Sequence, residues 1–291
     1  MSIQRSLWVF AALTCLALGS TAGRAATPGY DAIYVFGDSY CDVGNIFVAT
    51  GGAIPSAPYY NGRFSNGPIW IDHVANVWGL PMTASLVGGT DYAFGGAYVT
   101  SAQVTPFGNI PSVPQQVELY LTQHGGKADP NALYVIEGGG NDILGANGVS
   151  AEALGYQIAL GIAESELLLR RAGAKNFLIP DLLDVGQLPA AKANTSFATA
   201  ASVATNKALE LVLGTEELLE RVNIHRIDVF SLFHDVAADL THFGFVDITD
   251  PCLTPPLLCA DPDHTLFWDE EHPTEFGHAF FAVTVEASLS H

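Results

Sequence analysis

The chain has 291 residues, 49% of them hydrophobic and 14% charged, a balance that supports a full buried core and excludes a disordered polymer. Its 30 acidic and 11 basic residues leave a formal charge of −19, which repels nucleic-acid phosphates and anionic lipid head groups at long range. No nucleic-acid partner is expected.

Met1 to Arg5 is a short cationic start, Leu7 to Leu18 is a mostly apolar run, and Gly23-Arg24-Ala25 ends in small residues. This pattern predicts a secretory leader over residues 1–25, cleaved near Ala25 or Ala26, with Cys15 as part of it. The apolar run is well short of the roughly 20 residues that span a bilayer, and no later segment reaches that length, so no transmembrane segment is expected. Residues 26–291 are read as a single domain, delivered to the periplasm or outside the cell. Cleavage removes Arg5 and Arg24 and no acid, which makes the mature chain more acidic still.

Ala32 to Phe36 reads as a buried strand running into Gly37-Asp38. Leu133 to Ile136, Phe177 to Ile179 and Ile227 to Phe230 have the same form, and between them Ala151 to Arg171 and Phe197 to Arg221 carry helical spacing. Such alternation implies an α/β fold, a parallel sheet covered by helices, with ligands at the carboxyl ends of the strands. Gly51 to Gly67 and Thr100 to Pro114 are read as surface loops that shape a cleft. Thr241 to Phe267 is irregular, and His272-Pro273-Thr274 leads into a short final helix. Beyond the leader, Cys252 and Cys259 are close enough for a local disulfide in an oxidising compartment. Cys41 is then the odd thiol, in a packing role, and the absence of C-x-x-C leaves structural zinc without support.

The first strand delivers Ser39 to the carboxyl edge as a candidate nucleophile, although the tetrapeptide alone reads more readily as a helix cap by Asp38 or Ser39. The elbow G-x-S-x-G does not apply, since residue 41 is Cys. A serine needs a base, most often a histidine oriented by a carboxylate. Asp239/His242, Asp261/His264 and Asp269/His272 share the spacing D-x-x-H, with Glu275/His278 a near variant. Context favours Asp269 and His272, because Pro273 stiffens the exit of their loop and Thr274 can cap the helix that follows. The alternating acids of Asp261 to His272 also suggest a calcium loop, but Leu266 stands where an EF-hand needs Gly and His272 where it needs Glu. Gly138-Gly139-Gly140-Asn141-Asp142 lacks the P-loop Lys and the third dinucleotide Gly; Asn141 suits an oxyanion donor, and Asp142 a carboxylate that binds backbone N–H groups. Trp70, Trp78 and Trp268 are read as core or cleft wall.

Gly37-Asp38-Ser39, Asp91-Tyr92-Ala93-Phe94-Gly95-Gly96-Ala97, Gly139-Gly140-Asn141-Asp142 and Phe267-Trp268-Asp269-Glu270-Glu271-His272-Pro273-Thr274 together resemble the four ordered blocks of the GDSL or SGNH hydrolases. Gly62-Arg63-Phe64-Ser65-Asn66-Gly67-Pro68, Pro180-Asp181-Leu182 and Asp250-Pro251-Cys252 look like the secreted lipase and lecithinase branch. The resemblance implies a flavodoxin-like three-layer sandwich with a mostly parallel central sheet. It implies Ser39 as nucleophile, His272 as base and Asp269 as the residue that orients it. The implied oxyanion donors are the backbone N–H groups of Ser39 and Gly96 and the side chain of Asn141, with Gly95 a neighbouring choice. Two departures stand out: Tyr40 replaces Leu, altering the cleft wall, and Asp91 stands where Asn is common. The implied activity is cofactor-free hydrolysis of carboxylic esters, lipid and phospholipid acyl esters among them, through an acyl-Ser39 intermediate. Acyl transfer on the same site, a catalytically silent binding or adhesion protein, and a metal-dependent surface module at Asp261 to His272 are the alternatives.

Overall fold

The computed structural model describes residues 29–220 and 222–289; the predicted leader, Cys15 included, lies outside them. Four strands, β1 (Ile33–Phe36), β4 (Leu133–Ile136), β5 (Asn176–Pro180) and β6 (Asn223–Ile227), pair in parallel in the order β1-β4-β5-β6. On the free side of β1, Val35 forms a parallel bridge with Asp91. Counting the Asp91 segment as a minimal edge strand and numbering only the members of this sheet along the chain, the order is 2-1-3-4-5, the flavodoxin-like arrangement. Its direction of winding reverses at β1, which opens a crevice between the ends of β1 and β4.

Alternation along the strands builds a core on each face. Ile33, Val35, Leu133 and Val135 pack with Trp70, Val74 and Trp78 of α2 (Trp70–Trp78) and with Ala282 and Val285 of α8 (Glu275–Leu289). Phe36, Tyr134, Ile136 and Phe177 point the other way. They pack against α3 (Val113–Gln123), α5 (Ala151–Ala172) and α6 (Thr195–Glu220). Helices on both faces make three layers, as expected, and Trp70 and Trp78 are core residues.

Several boundaries differ from the sequence reading. The last strand ends at Ile227, and Ile227 to Phe230 is not a strand: Asp228 accepts a hydrogen bond from the Ser231 N–H and starts α7 (Val229–Ala238). The polar run Asn223-Ile224-His225-Arg226 hides the true strand because β6 lies at the sheet edge, where alternate side chains need not be apolar. The loop after Thr100 contains a hairpin, β2 (Gln103–Thr105) with β3 (Gly108–Ile110). A second hairpin, β7 (Leu253–Thr254) with β8 (Leu257–Leu258), is closed by the Cys252–Cys259 disulfide. Cys41 is a buried free thiol. The final helix spans 15 residues and is not short. Two one-turn helices, α1 (Asn45–Ala49) and α4 (Gly140–Leu144), follow the loops that leave β1 and β4. Among the described residues no helix is long and apolar enough to cross a membrane.

Candidate active site

Where β1 ends, the chain turns tightly: the Cys41 and Asp42 N–H groups donate to the Asp38 carbonyl, and the Tyr40 N–H donates to Asp38 Oδ1. Asp38 thus closes a turn and does not cap a helix, since the helix that follows starts from Gly44 without a side-chain cap, and the Ser39 hydroxyl is left free to point elsewhere. Buried Gln116 of α3 grips the strand end from the side, accepting from the Gly37 N–H and donating to its carbonyl. Asp42 accepts from the Gly44, Asn45, Ile46 and Gly95 N–H groups, tying this turn to the glycine loop after Asp91. Asp91 accepts from the Val43 and Ala93 N–H groups, a double acceptor role that a neutral Asn amide fills less well.

Ser39 Oγ lies 2.7 Å from His272 Nε2, across 233 residues of sequence. The other ring nitrogen, Nδ1, is 2.8 Å from both carboxylate oxygens of Asp269. Asp269 Oδ1 also accepts the N–H groups of Glu271 and His272, which folds the loop, and Oδ2 accepts the Tyr59 hydroxyl at 2.7 Å. The loop exit matches its predicted design, for Thr274 Oγ1 accepts from the Gly277 N–H at the start of α8. The Phe64 ring stacks on the imidazole, centroids 5.1 Å apart.

Electrostatics sharpen the arrangement. Burial raises the carboxyl of Asp269, but hydrogen bonding and charge from His272, with the Tyr59 hydroxyl, outweigh it and bring the group down to about 2. Burial likewise disfavours the imidazolium of His272, yet Asp269, backed by Glu271 and Asp38, holds it above its ordinary 6.5.

Asn141 sits in the first turn of α4, and its Nδ2 donates to Asp38 Oδ2 and to the Ala97 carbonyl, each at 3.2 Å. Gly139 before it has φ +115, and a Cβ there would meet Ile158 Cγ2 at 2.7 Å, so the turn needs glycine twice over. Asp142 accepts from the Val99 and Thr100 N–H groups and holds the adjacent loop, as expected of it. Gly96 has φ +79, while the N–H of Gly95 is committed to Asp42. Ser39, Gly96, Asn141 and His272 all line one cleft of about 330 Å³. Every residue assigned by resemblance is thereby brought together.

The other histidine pairs go elsewhere. Asp261 and His264 do form a dyad at 2.8 Å, but half exposed on a separate turn. Asp239 accepts the backbone N–H of His242. His278 is buried and, through desolvation and the charges of His272 and His73, pushed down to about 3. Among the described residues no three His, Cys, Asp or Glu side chains converge as a metal ion requires. Tyr40 does not act as foreseen: its hydroxyl donates to the Glu271 carbonyl at 2.6 Å, and its ring lines a separate apolar cavity of about 110 Å³ between α7 and α8. Trp268 is buried.

Tyr59, Phe64 and Glu137 were not foreseen as parts of the site. Phe64 falls within Gly62 to Pro68, whereas nothing local marks Tyr59. Glu137, just after β4, receives the Asp38 N–H at 3.5 Å and the Cys41 thiol at 3.7 Å. Burial pushes both Glu137 and Asp38 up, the latter to about 6, and the charge of Asp38 raises Glu137 further.

A family model described as GDSL-like lipase/acylhydrolase matches residues 33–284. The thermolabile hemolysin of Vibrio parahaemolyticus is 28% identical over 280 residues, covering 86% of this chain and 62% of that protein. The phosphatidylcholine-sterol acyltransferase of Aeromonas hydrophila is 28% identical over 247 residues, covering 84% and 72%. The chain thus spans less than two thirds of the hemolysin's length. A solved structure of a lipolytic G-D-S-L family protein from Veillonella parvula aligns with TM-score 0.48 at 14% identity, over 87% of this chain and 95% of that one.

Proposed function

The chain belongs to the GDSL-like lipase/acylhydrolase family, and from that premise we propose that it is a serine hydrolase of carboxylic esters, lipid and phospholipid acyl esters included. The observation that carries this reading is the continuous chain of hydrogen bonds Asp269–His272–Ser39 at the mouth of a cleft. His272 Nε2 takes the proton of Ser39 as the hydroxyl attacks the ester carbonyl; Asp269 keeps Nδ1 protonated and stabilises the imidazolium that forms. The developing oxyanion is held by the N–H groups of Ser39 and Gly96 and by the Asn141 amide, which turns one N–H from its resting acceptor to the substrate. His272 then protonates the leaving alcohol, and water repeats the sequence on the acyl-serine.

The same acyl-serine delivered to an acceptor alcohol is acyl transfer, a reading favoured by the likeness to a phosphatidylcholine-sterol acyltransferase. The pattern of residues 1–25 supports export to the periplasm or beyond, with 26–291 as the hydrolase domain. A Cys252–Cys259 disulfide agrees with an oxidising compartment.

The test is hydrolysis of p-nitrophenyl esters from acetate to palmitate. Ser39→Ala and His272→Ala are expected to lose nearly all activity, and Asn141→Ala about 10²–10³ in turnover. His264→Ala should keep most of it. Equal rates for the parent and Ser39→Ala would remove the serine mechanism and favour a binding protein that retains the fold.

A further inference from the structure

In a chain with 30 acidic and 11 basic residues, Val43 to Gly62 and Tyr92 to Val117 contain no Asp, Glu, Lys, Arg or His. The fold brings these two spans to the same place. Ile46, Thr50 and Ile54 from the first, and Pro106, Phe107 and Ile110 from the second, line the cleft that holds Ser39 and His272. The same spans also expose apolar side chains: Val104 is 87% exposed and Phe107, itself in the cleft lining, 60%, both on the β2–β3 hairpin, with Val48 and Tyr60 each about 40% exposed on the first span. Two acids also border the cleft, Glu271 in its lining and Glu270, exposed, next to it in the chain.

Exposed apolar side chains gathered on an uncharged surface mark an interaction site. We propose that this uncharged rim, led by Val104 and Phe107, seats the protein on a phospholipid surface of zero net charge, with the cleft mouth facing the lipid. The inference rests on the ester hydrolase reading for the direction in which the ligand travels. A protein partner on this rim would cover the cleft mouth and shut out substrate, whereas a lipid surface supplies it. Anionic lipid is disfavoured twice, by the formal charge of −19 and by the local acids Glu270 and Glu271. A zwitterionic surface meets neither penalty and accepts the apolar side chains at its interface.

Flotation with vesicles tests this without turnover. The Ser39→Ala protein is expected to bind phosphatidylcholine vesicles, and to bind less as phosphatidylglycerol replaces phosphatidylcholine. Adding Val104→Asp should weaken binding by about tenfold or more, the loss of one buried valine and the gain of a charge. Val246→Asp, at a valine 62% exposed outside both spans, should leave binding unchanged. Val104→Asp in an otherwise unaltered chain should hydrolyse p-nitrophenyl acetate in solution at the parental rate, which reports an intact fold and site. The proposal is overturned by absence of binding to phosphatidylcholine, by preference for anionic vesicles, by undiminished binding of the Val104→Asp variant, or by equal loss with Val246→Asp. Vesicle binding without any ester cleavage would remove the hydrolase reading and leave the surface standing.

Discussion

At the scale of single residues the site is an exercise in holding one proton. His272 must be neutral to take the Ser39 proton, yet Asp269 at 2.8 Å raises it above 6.5 against the opposing effect of burial. Activity should therefore rise with pH through a value above 6.5, the acid limb reporting loss of the imidazolium proton. Asp269→Asn withdraws the charge that favours imidazolium, so His272 falls and the acid limb of kcat/KM moves to lower pH. Turnover drops at the same time, by about 10⁴ where the wrong tautomer results. A limb that stays in place when kcat/KM is measured across pH 5–9, about four units around the ordinary histidine value, would show that Asp269 does not set the titration. Tyr59 adds a further donor to Asp269, which helps keep that carboxylate charged and aligned.

At the scale of elements, the ends of β1 and β4 meet where half-buried Glu137 accepts the backbone N–H of buried Asp38. Desolvation and the Asp38 charge push Glu137 well above its ordinary 4.5. A carboxyl whose folded pKa is raised retains a proton that the unfolded chain releases. Its stabilising contribution is whole below about 4.5 and is lost as pH climbs through the folded value. Glu137→Gln cannot ionise and still offers an oxygen to accept the Asp38 N–H. Its Tm should exceed the parent's at pH 8 and converge with it near pH 4, with each kcal/mol worth about 2–4 °C in a chain of this size. A lower Tm at pH 8 would mean that Glu137 is charged and paired there. The same contact steadies Asp38 as the acceptor of the Tyr40 N–H and the Asn141 amide, so the two strand ends share one hydrogen-bonded hub.

At the scale of the whole molecule, every group in the proposed steps is a side chain or backbone N–H of this chain. Turnover and Tm should persist in excess EDTA; a loss reversed by calcium would favour a metal-dependent module at Asp261 to His272. Much of this was legible in sequence because it is local. Apolar runs ending at Phe36 and Ile136, with glycine one and two residues on, mark parallel strands whose alternate residues are buried on both faces. Thr274, Pro273 and the D-x-x-H spacing describe a loop that folds on itself, as does the short span between Cys252 and Cys259. Local spacing could not choose among the histidines, since Asp261–His264 closes into a dyad as short as Asp269–His272. Nor could it separate a strand from a capped helix at Ile227 to Phe230, where one edge strand gives way to Asp228 and α7. Those choices belong to tertiary structure, because reversal of strand order at β1 is what carries Ser39, Asn141 and the His272 loop to one crevice. Tyr59, Glu137 and the uncharged rim acquire meaning only there, as partners separated by long stretches of chain whose distances no local pattern encodes.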